Sequence, residues 1–237
     1  MPVSEISGLE YQIMYKGAFA MLQVAIRKGD TFRAESDAMV AMSPTLDISA
    51  NTGKTGIVGA MARKFLSGET AFYQEITGAR GDGIAFFAPS YPGDIAVIEM
   101  DGKTDYRLSK NAYLAGTTAI EINAKMQNVL NGMMSGQGLF ILNAKGKGTL
   151  FISSYGALDY VDVPPGQIFI IDNGHLVAWP ATMQYEVKMA SRSSIFGSIA
   201  SGEGFVLRMR GPGRVYFQSR NLAAFGSWVK SLASSGR

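Results

Sequence analysis

One pattern occurs three times along the 237 residues: a Ser-Gly, a short apolar run, a glycine-bracketed turn, and a second run ending in two bulky apolar residues. The copies run from Ser67-Gly68 through Gly81-Asp82-Gly83 to Phe86-Phe87, from Ser135-Gly136 through Gly146-Lys147-Gly148 to Phe151-Ile152, and from Ser201-Gly202 through Gly211-Pro212-Gly213 to Tyr216-Phe217. The three Ser positions lie 68 and 66 residues apart, the mark of one structural unit used repeatedly. Upstream, Asp37 to Ile48, Asn111 to Ile122 and Gly174 to Tyr185 share an order of apolar run, turn residue and apolar-polar alternation, which is a strand signal. The spacing predicts an all-β chain of three tandem β-sandwich-like repeats about a pseudo-threefold axis. The repeats cover residues 1–90, 91–157 and 158–220, each with four or five strands, and 221–237 form a C-terminal helix.

Composition fits that class. The 28 glycines supply the positive φ that tight turns demand, and 47% hydrophobic residues suffice for a sizeable core. Only 17% of residues are charged, so self-association into a homo-oligomer is expected. A net charge of +3 is too small to argue for nucleic acid by itself. The absence of cysteine removes disulfides, thiol catalysis and cysteine-ligated metals. The N-terminus lacks a basic stretch followed by an apolar run, and the longest uncharged run, Met126 to Ala144, is broken by polar residues and glycines. A cytoplasmic protein, peripheral to a membrane at most, is expected.

Residues 9–26 alternate well enough for two strands meeting at Lys16-Gly17, and Gly29-Asp30, Pro92-Gly93-Asp94 and Pro165-Gly166-Gln167 read as turns between strands. Residues 221–233 place Leu222, Phe225, Trp228, Val229 and Leu232 on one helical side, with Asn221 as N-cap. Ahead of each Ser-Gly lies a short segment of helical periodicity, around Ile57, Met61 and Phe65, around Met133, and around Phe196.

Catalytic signatures are missing. No Gly-x-Gly pair has the third glycine of a dinucleotide site, Ile48 stands where a phosphate loop ending in Thr52-Gly53-Lys54-Thr55 needs glycine, and there is no Gly-x-Ser-x-Gly elbow. The lone His175 reads as part of a turn, and Asp101, Asp105, Asp159 and Asp162 as solvated turn residues. No enzymatic activity, no cofactor, no metal and no small-molecule substrate are therefore assigned. Two binding surfaces remain. If the three copies are related by a pseudo-threefold axis, the hairpin tips 78–83, 144–148 and 210–214 lie at equivalent places, and Arg80, Lys145, Lys147, Arg208, Arg210 and Arg214 form a partial basic ring for RNA or another polyanion. Alternatively, the apolar residues Ile57, Met61, Phe65, Met133 and Phe196 form a surface for a membrane or a protein partner.

Val161-Asp-Val-Pro-Pro-Gly166, Asp172-Asn-Gly-His-Leu-Val-Ala-Trp179, Ser201-Gly-Glu-Gly-Phe205 and Gly211 to Arg220 together resemble the family named for altered inheritance of mitochondria, over about residues 10–220. Ser67-Gly-Glu-Thr70 and Gly116-Thr-Thr118 fit as well, whereas Gln218-Ser219-Arg220 replaces the common Gln-Thr-Arg. The resemblance implies a fold like the tryptophan RNA-binding attenuator protein and carries no catalytic residues. It associates the family's mitochondrial members with inner-membrane organisation, although Glu5, Glu10 and a first basic residue at Lys16 make a poor transit peptide. The combined expectation is a non-enzymatic, self-associating scaffold or binding protein, acting at a membrane surface or, alternatively, on a polyanion.

Overall fold

The computed structural model describes residues 1–50, 73–127, 139–189 and 205–234. These hold nineteen strands. The first seven are β1 (Tyr11–Met14), β2 (Met21–Ile26), β3 (Thr31–Glu35), β4 (Met39–Met42), β5 (Asp47–Ala50), β6 (Tyr73–Thr77) and β7 (Gly83–Phe87). Six more follow: β8 (Ile95–Asp101), β9 (Tyr106–Ser109), β10 (Tyr113–Thr117), β11 (Glu121–Gln127), β12 (Leu139–Lys145) and β13 (Lys147–Ser153). The last six are β14 (Leu158–Val163), β15 (Ile168–Asp172), β16 (Leu176–Pro180), β17 (Gln184–Met189), β18 (Phe205–Arg210) and β19 (Gly213–Gln218), before helix α1 (Leu222–Ser234). The all-β reading holds.

Alternation in the sequence becomes alternation in burial. In β2, Leu22, Val24 and Ile26 are buried while Met21, Gln23 and Ala25 between them are only half so. The turn at Arg27 to Asp30 is closed by Asp30 N–H donating to Arg27 O at 3.0 Å, with Gly29 at φ +86°. Asn221 caps α1 as expected, its Oδ1 accepting from Ala224 N–H at 3.1 Å.

Four antiparallel sheets form, with strand orders β1-β2-β7-β4, β5-β6-β3-β10-β13-β8, β11-β12-β9-β16-β19-β14 and β15-β18-β17. One pairing scheme recurs in β2–β7, β8–β13 and β14–β19. The first, sixth and third strands of each run pair in the order first-sixth-third, and the second, fifth and fourth in the order second-fifth-fourth. Each run is a sandwich of those two layers, and each six-stranded sheet joins the second layer of one sandwich to the first layer of the next. The joints are β3 against β10 and β9 against β16. Even the irregularities correspond, because the third strand of every run carries one bulge, at Met39/Ala41, Tyr113/Ala115 and Leu176/Ala178.

Three cores follow in series. Leu22, Phe32, Phe87 and Phe151 centre the first, Leu108, Leu150, Ile152 and Tyr216 the second, and Ile141, Trp179, Leu207 and Val215 the third. No core contains residues of both the first and third sandwiches. Strand β13 feeds two cores, Phe151 entering the first and Leu150 and Ile152 the second, which explains its unbroken apolar run.

Two expectations need correction. Each sandwich has six strands rather than four or five, because four-residue strands such as β4 and β5 are separated only by a tight turn. The three glycine turns are also not hairpins. Strand β6 pairs with β3 and β5 while β7 pairs with β2 and β4, and β12/β13 and β18/β19 are divided between layers in the same way. The chain turns a corner there and passes from one layer to the other. Gly146 shows why glycine is needed: its φ is +106°, and a Cβ would sit 2.2 Å from Ala119 O.

Candidate functional site

The six basic residues singled out from the sequence have different local partners. Arg80 is consumed locally, donating to Pro44 O at 2.6 and 3.0 Å, to Leu46 O at 2.8 Å and to Asp47 Oδ1 at 2.5 Å, so it holds the turn between β4 and β5. Arg214 forms a two-point contact with Asp162 at 2.7 and 2.8 Å and lies 3.8 Å over the Tyr160 ring. That guanidinium holds the Asp162 carboxyl below the usual carboxylate range. Lys145 pairs with Asp105 at 3.5 Å, and Lys147 sits opposite Asp101 in the ladder. Arg80, Arg214 and Lys145 are thus matched with acids or carbonyls.

Arg208 and Arg210 come together. On β18 they alternate with Leu207 and Met209, which enter the third core, so both arginines lie on the outer face of β15-β18-β17. They line a cleft of about 440 Å³ with Arg107, Thr182, Tyr185 and Glu186. Arg107 belongs to β9 in the preceding sandwich and reaches the cleft because β9 pairs with β16, its guanidinium 5.6 Å from the Tyr185 ring. Burial pushes the Tyr185 phenol up, with Arg107 pulling the other way. Arg208 Nε is buried and has no hydrogen-bond partner among the described residues. Three arginines therefore line one cleft together with Glu186, the cross-strand neighbour of Arg208. Sequence reading missed Arg107, although Phe32-Arg33 and Tyr106-Arg107 place an arginine after an aromatic in equivalent strands.

A second surface lies on α1. Phe225, Trp228, Val229 and Leu232 sit on one helical side, and Trp228 and Leu232 are 56% and 57% exposed. A ring series Tyr91, Tyr155, Phe225, Trp228, with centroid spacings of 6.4, 5.9 and 5.8 Å, ties the start of the helix to the second sandwich. Ile57, Met61, Phe65, Met133 and Phe196 lie outside the described residues. Among the described residues no helix is long and apolar enough to cross a membrane, and no three acidic or histidine side chains gather as metal ligands do.

The model of the family described as mitochondrial biogenesis AIM24 matches residues 11–220. The chain belongs to that family. This AIM24 chain is 32% identical over 218 residues to an uncharacterised protein of Streptococcus pyogenes serotype M6, covering 90% of this chain and 86% of that one. An X-ray structure of a Streptococcus pyogenes protein superposes with a TM-score of 0.77 at 30% identity, covering 94% of this chain and 99% of that one. The AIM24 motif residues in the third sandwich act in packing. The Gln218 side chain accepts from Tyr155 N–H at 2.8 Å and donates to Gly174 O at 3.0 Å, and the Gln218 backbone carbonyl oxygen lies 2.8 Å from His175 Nδ1. Asp172 accepts from Gly174 N–H at 2.8 Å, and Ser219 Oγ accepts from Ala157 N–H at 2.9 Å. In this AIM24 chain, then, the family signature fastens the turn at 173–175 to the last strand, and His175 serves that turn.

Proposed function

We propose that the chain is a non-enzymatic scaffold that docks on a membrane surface through the outer side of α1. The observation that carries this reading is the solvent exposure of Trp228 and Leu232 beside Phe225 and Val229 on a capped, thirteen-residue helix. Leaving four large apolar groups in water is unfavourable by the area they expose, and an indole with its N–H is at home at a lipid headgroup boundary. The two tryptophans make a direct test, since Trp179 is fully buried and Trp228 is not. Vesicles containing anionic lipid are expected to shift the emission of Trp228 to the blue and to sediment the protein. Trp228→Ser with Leu232→Ser abolishes both and leaves the melting temperature unchanged. Absence of sedimentation at every lipid composition rejects the reading.

A second reading rests on the cleft lined by Arg107, Arg208 and Arg210. In it the chain binds a polyanion such as RNA. Fluorescence anisotropy with a random RNA pool is expected to show affinity that falls steeply with salt, and to lose it in Arg107→Glu with Arg210→Glu. Salt-independent binding, or none, removes this reading.

A further inference from the structure

A cleft of about 610 Å³ lies where the start of α1 meets the end of β19 and the turn at 173–175. Part of its lining is aromatic, Tyr155, Phe225 and Trp228 of the ring series. The rest, apart from Ala224, is polar: His175, Ser219, Arg220 and Asn221. A neighbouring cavity of about 310 Å³ shares Tyr155 and Asn221 and adds Lys110. No carboxylate lines either space.

The repeats show that the two basic groups of the cleft are not demands of the fold. The ladders place Met39, Tyr113 and Leu176 opposite Phe87, Ile152 and Phe217, so these positions are equivalent in the three sandwiches. The residue ahead of the first set is Ala38, Ala112 and His175 in turn, and both alanines are buried. Three positions beyond the second set stand Ser90, Tyr155 and Arg220. Only the third sandwich carries a base at either place, and it carries one at both.

Their bonding leaves them available. Of Gln218, Ser219 and Arg220, the first two are taken up in packing, whereas Arg220 makes no hydrogen bond, ion pair or ring contact among the described residues. Its stem is nevertheless positioned, because it rests over Gly156, where a Cβ would come 2.7 Å from Arg220 Cγ. His175 Nδ1 lies 2.8 Å from a backbone carbonyl oxygen, which keeps the proton on that nitrogen and leaves Nε2 to become a donor when the ring takes up a second proton. Asn221 Oδ1 is occupied by Ala224 N–H, so its amide group has only donors left to offer. The polar lining is rich in donors and cations and suits a phosphate, with which arginine makes charge-assisted hydrogen bonds.

We infer that this cleft binds the phosphate of an anionic phospholipid headgroup, Arg220 and His175 meeting the phosphate and the aromatic side meeting the glycerol and upper acyl region. Trp228 decides the occupant: it lines the cleft and also belongs to the exposed apolar side of α1. A phosphate held by Arg220 therefore stands beside the surface that enters lipid, where headgroups lie. A choline ammonium would find no carboxylate there. The inference rests on the membrane-docking reading and deepens it by naming the class of lipid.

Sedimentation with phosphatidylcholine vesicles, with and without phosphatidylglycerol, tests it, the emission of Trp228 being read in parallel. Phosphatidylglycerol is expected to tighten binding about tenfold, as hydrogen bonds to a charged group do. Arg220→Gln removes that preference, and His175→Ala, the residue of the other two sandwiches, weakens it. Arg220→Gln breaks no bond within the chain, so its melt stays at the parent value. Glycerol 3-phosphate, the same phosphate without acyl chains, is expected to compete with phosphatidylglycerol vesicles for the parent protein and not for Arg220→Gln. Equal binding to both vesicles, a preference for phosphatidylcholine, or a phosphatidylglycerol preference that survives Arg220→Gln overturns the inference and leaves helix docking standing. Glycerol 3-phosphate that binds through Arg220 while no vesicle sediments overturns it together with the membrane reading, the ligand then being a soluble phosphate.

Discussion

Arg33 on β3 lies 2.8 Å from Glu75 on β6, and its other terminal nitrogen donates to Ile120 O in the next sandwich at 3.2 Å. Its guanidinium also covers the Tyr73 ring at 4.2 Å. One side chain therefore braces a strand pair and a joint between sandwiches together. Both partners are largely buried, which makes the pair sensitive to the loss of one member. Glu75→Ala is expected to cost about 2 kcal/mol in chemical denaturation, and Arg33→Met with Glu75→Leu to recover most of it. A single substitution with no measurable cost would show that the brace is idle.

Glu35 gives the fold a pH dependence. Burial pushes its carboxyl above the ordinary range, and Asp37 adds to that. A raised folded-state pKa means that the native state holds the proton more tightly than the unfolded one. The contribution of Glu35 to stability is therefore greatest below the unfolded value, near 4.3, and declines as pH rises through the folded one. Glu35→Gln is expected to be more stable than the parent at neutral pH, the difference vanishing in acid. Thermal melts across that range decide it, and a difference that grows in acid would invert the sign.

Two glycines should respond in opposite directions to alanine. At Gly146 the positive φ and the nearby Ala119 O make Gly146→Ala costly, by about 3 kcal/mol. Gly226 sits inside α1, and nothing lies within 4 Å of the place an added methyl would take, so Gly226→Ala stabilises the helix by up to about 1 kcal/mol. Parallel urea titrations measure both.

Phe151 is fully buried, with Tyr11 edge-on at 5.0 Å and Phe32 at 6.1 Å. It joins β13 of the second sandwich to the core of the first. Phe151→Ala is expected to cost about 3–5 kcal/mol and to lower the melt as one transition. Two resolved transitions would instead mean that the sandwiches unfold independently.

Strands were legible in the sequence wherever one face is wet: β2 and β3 alternate in sequence as in burial, and α1 declares itself through its apolar stripe and Asn221. The corners were not. A glycine turn between two alternating runs has the same signature whether the runs pair with each other or with strands far away, and here the distant partners win. Arg80 and Arg214 stand near equivalent corners yet are matched by Asp47 and Asp162, while Arg107 reaches Arg208 and Arg210 only through the β9 and β16 joint. Local periodicity records which face of a strand is dry, but carries little about which strand lies beside it.

Each six-stranded sheet is half one sandwich and half the next, so the segment that recurs in the chain is not a segment that can stand alone. Cutting between β7 and β8 leaves β3 without β10, and cutting between β13 and β14 leaves β9 without β16. Either cut opens a raw edge of the kind β4 and β15 already present. Such an architecture grows by splicing: a further copy inserted at a joint would meet on each side the partner it replaces, and the chain would lengthen without any strand having to learn a new neighbour.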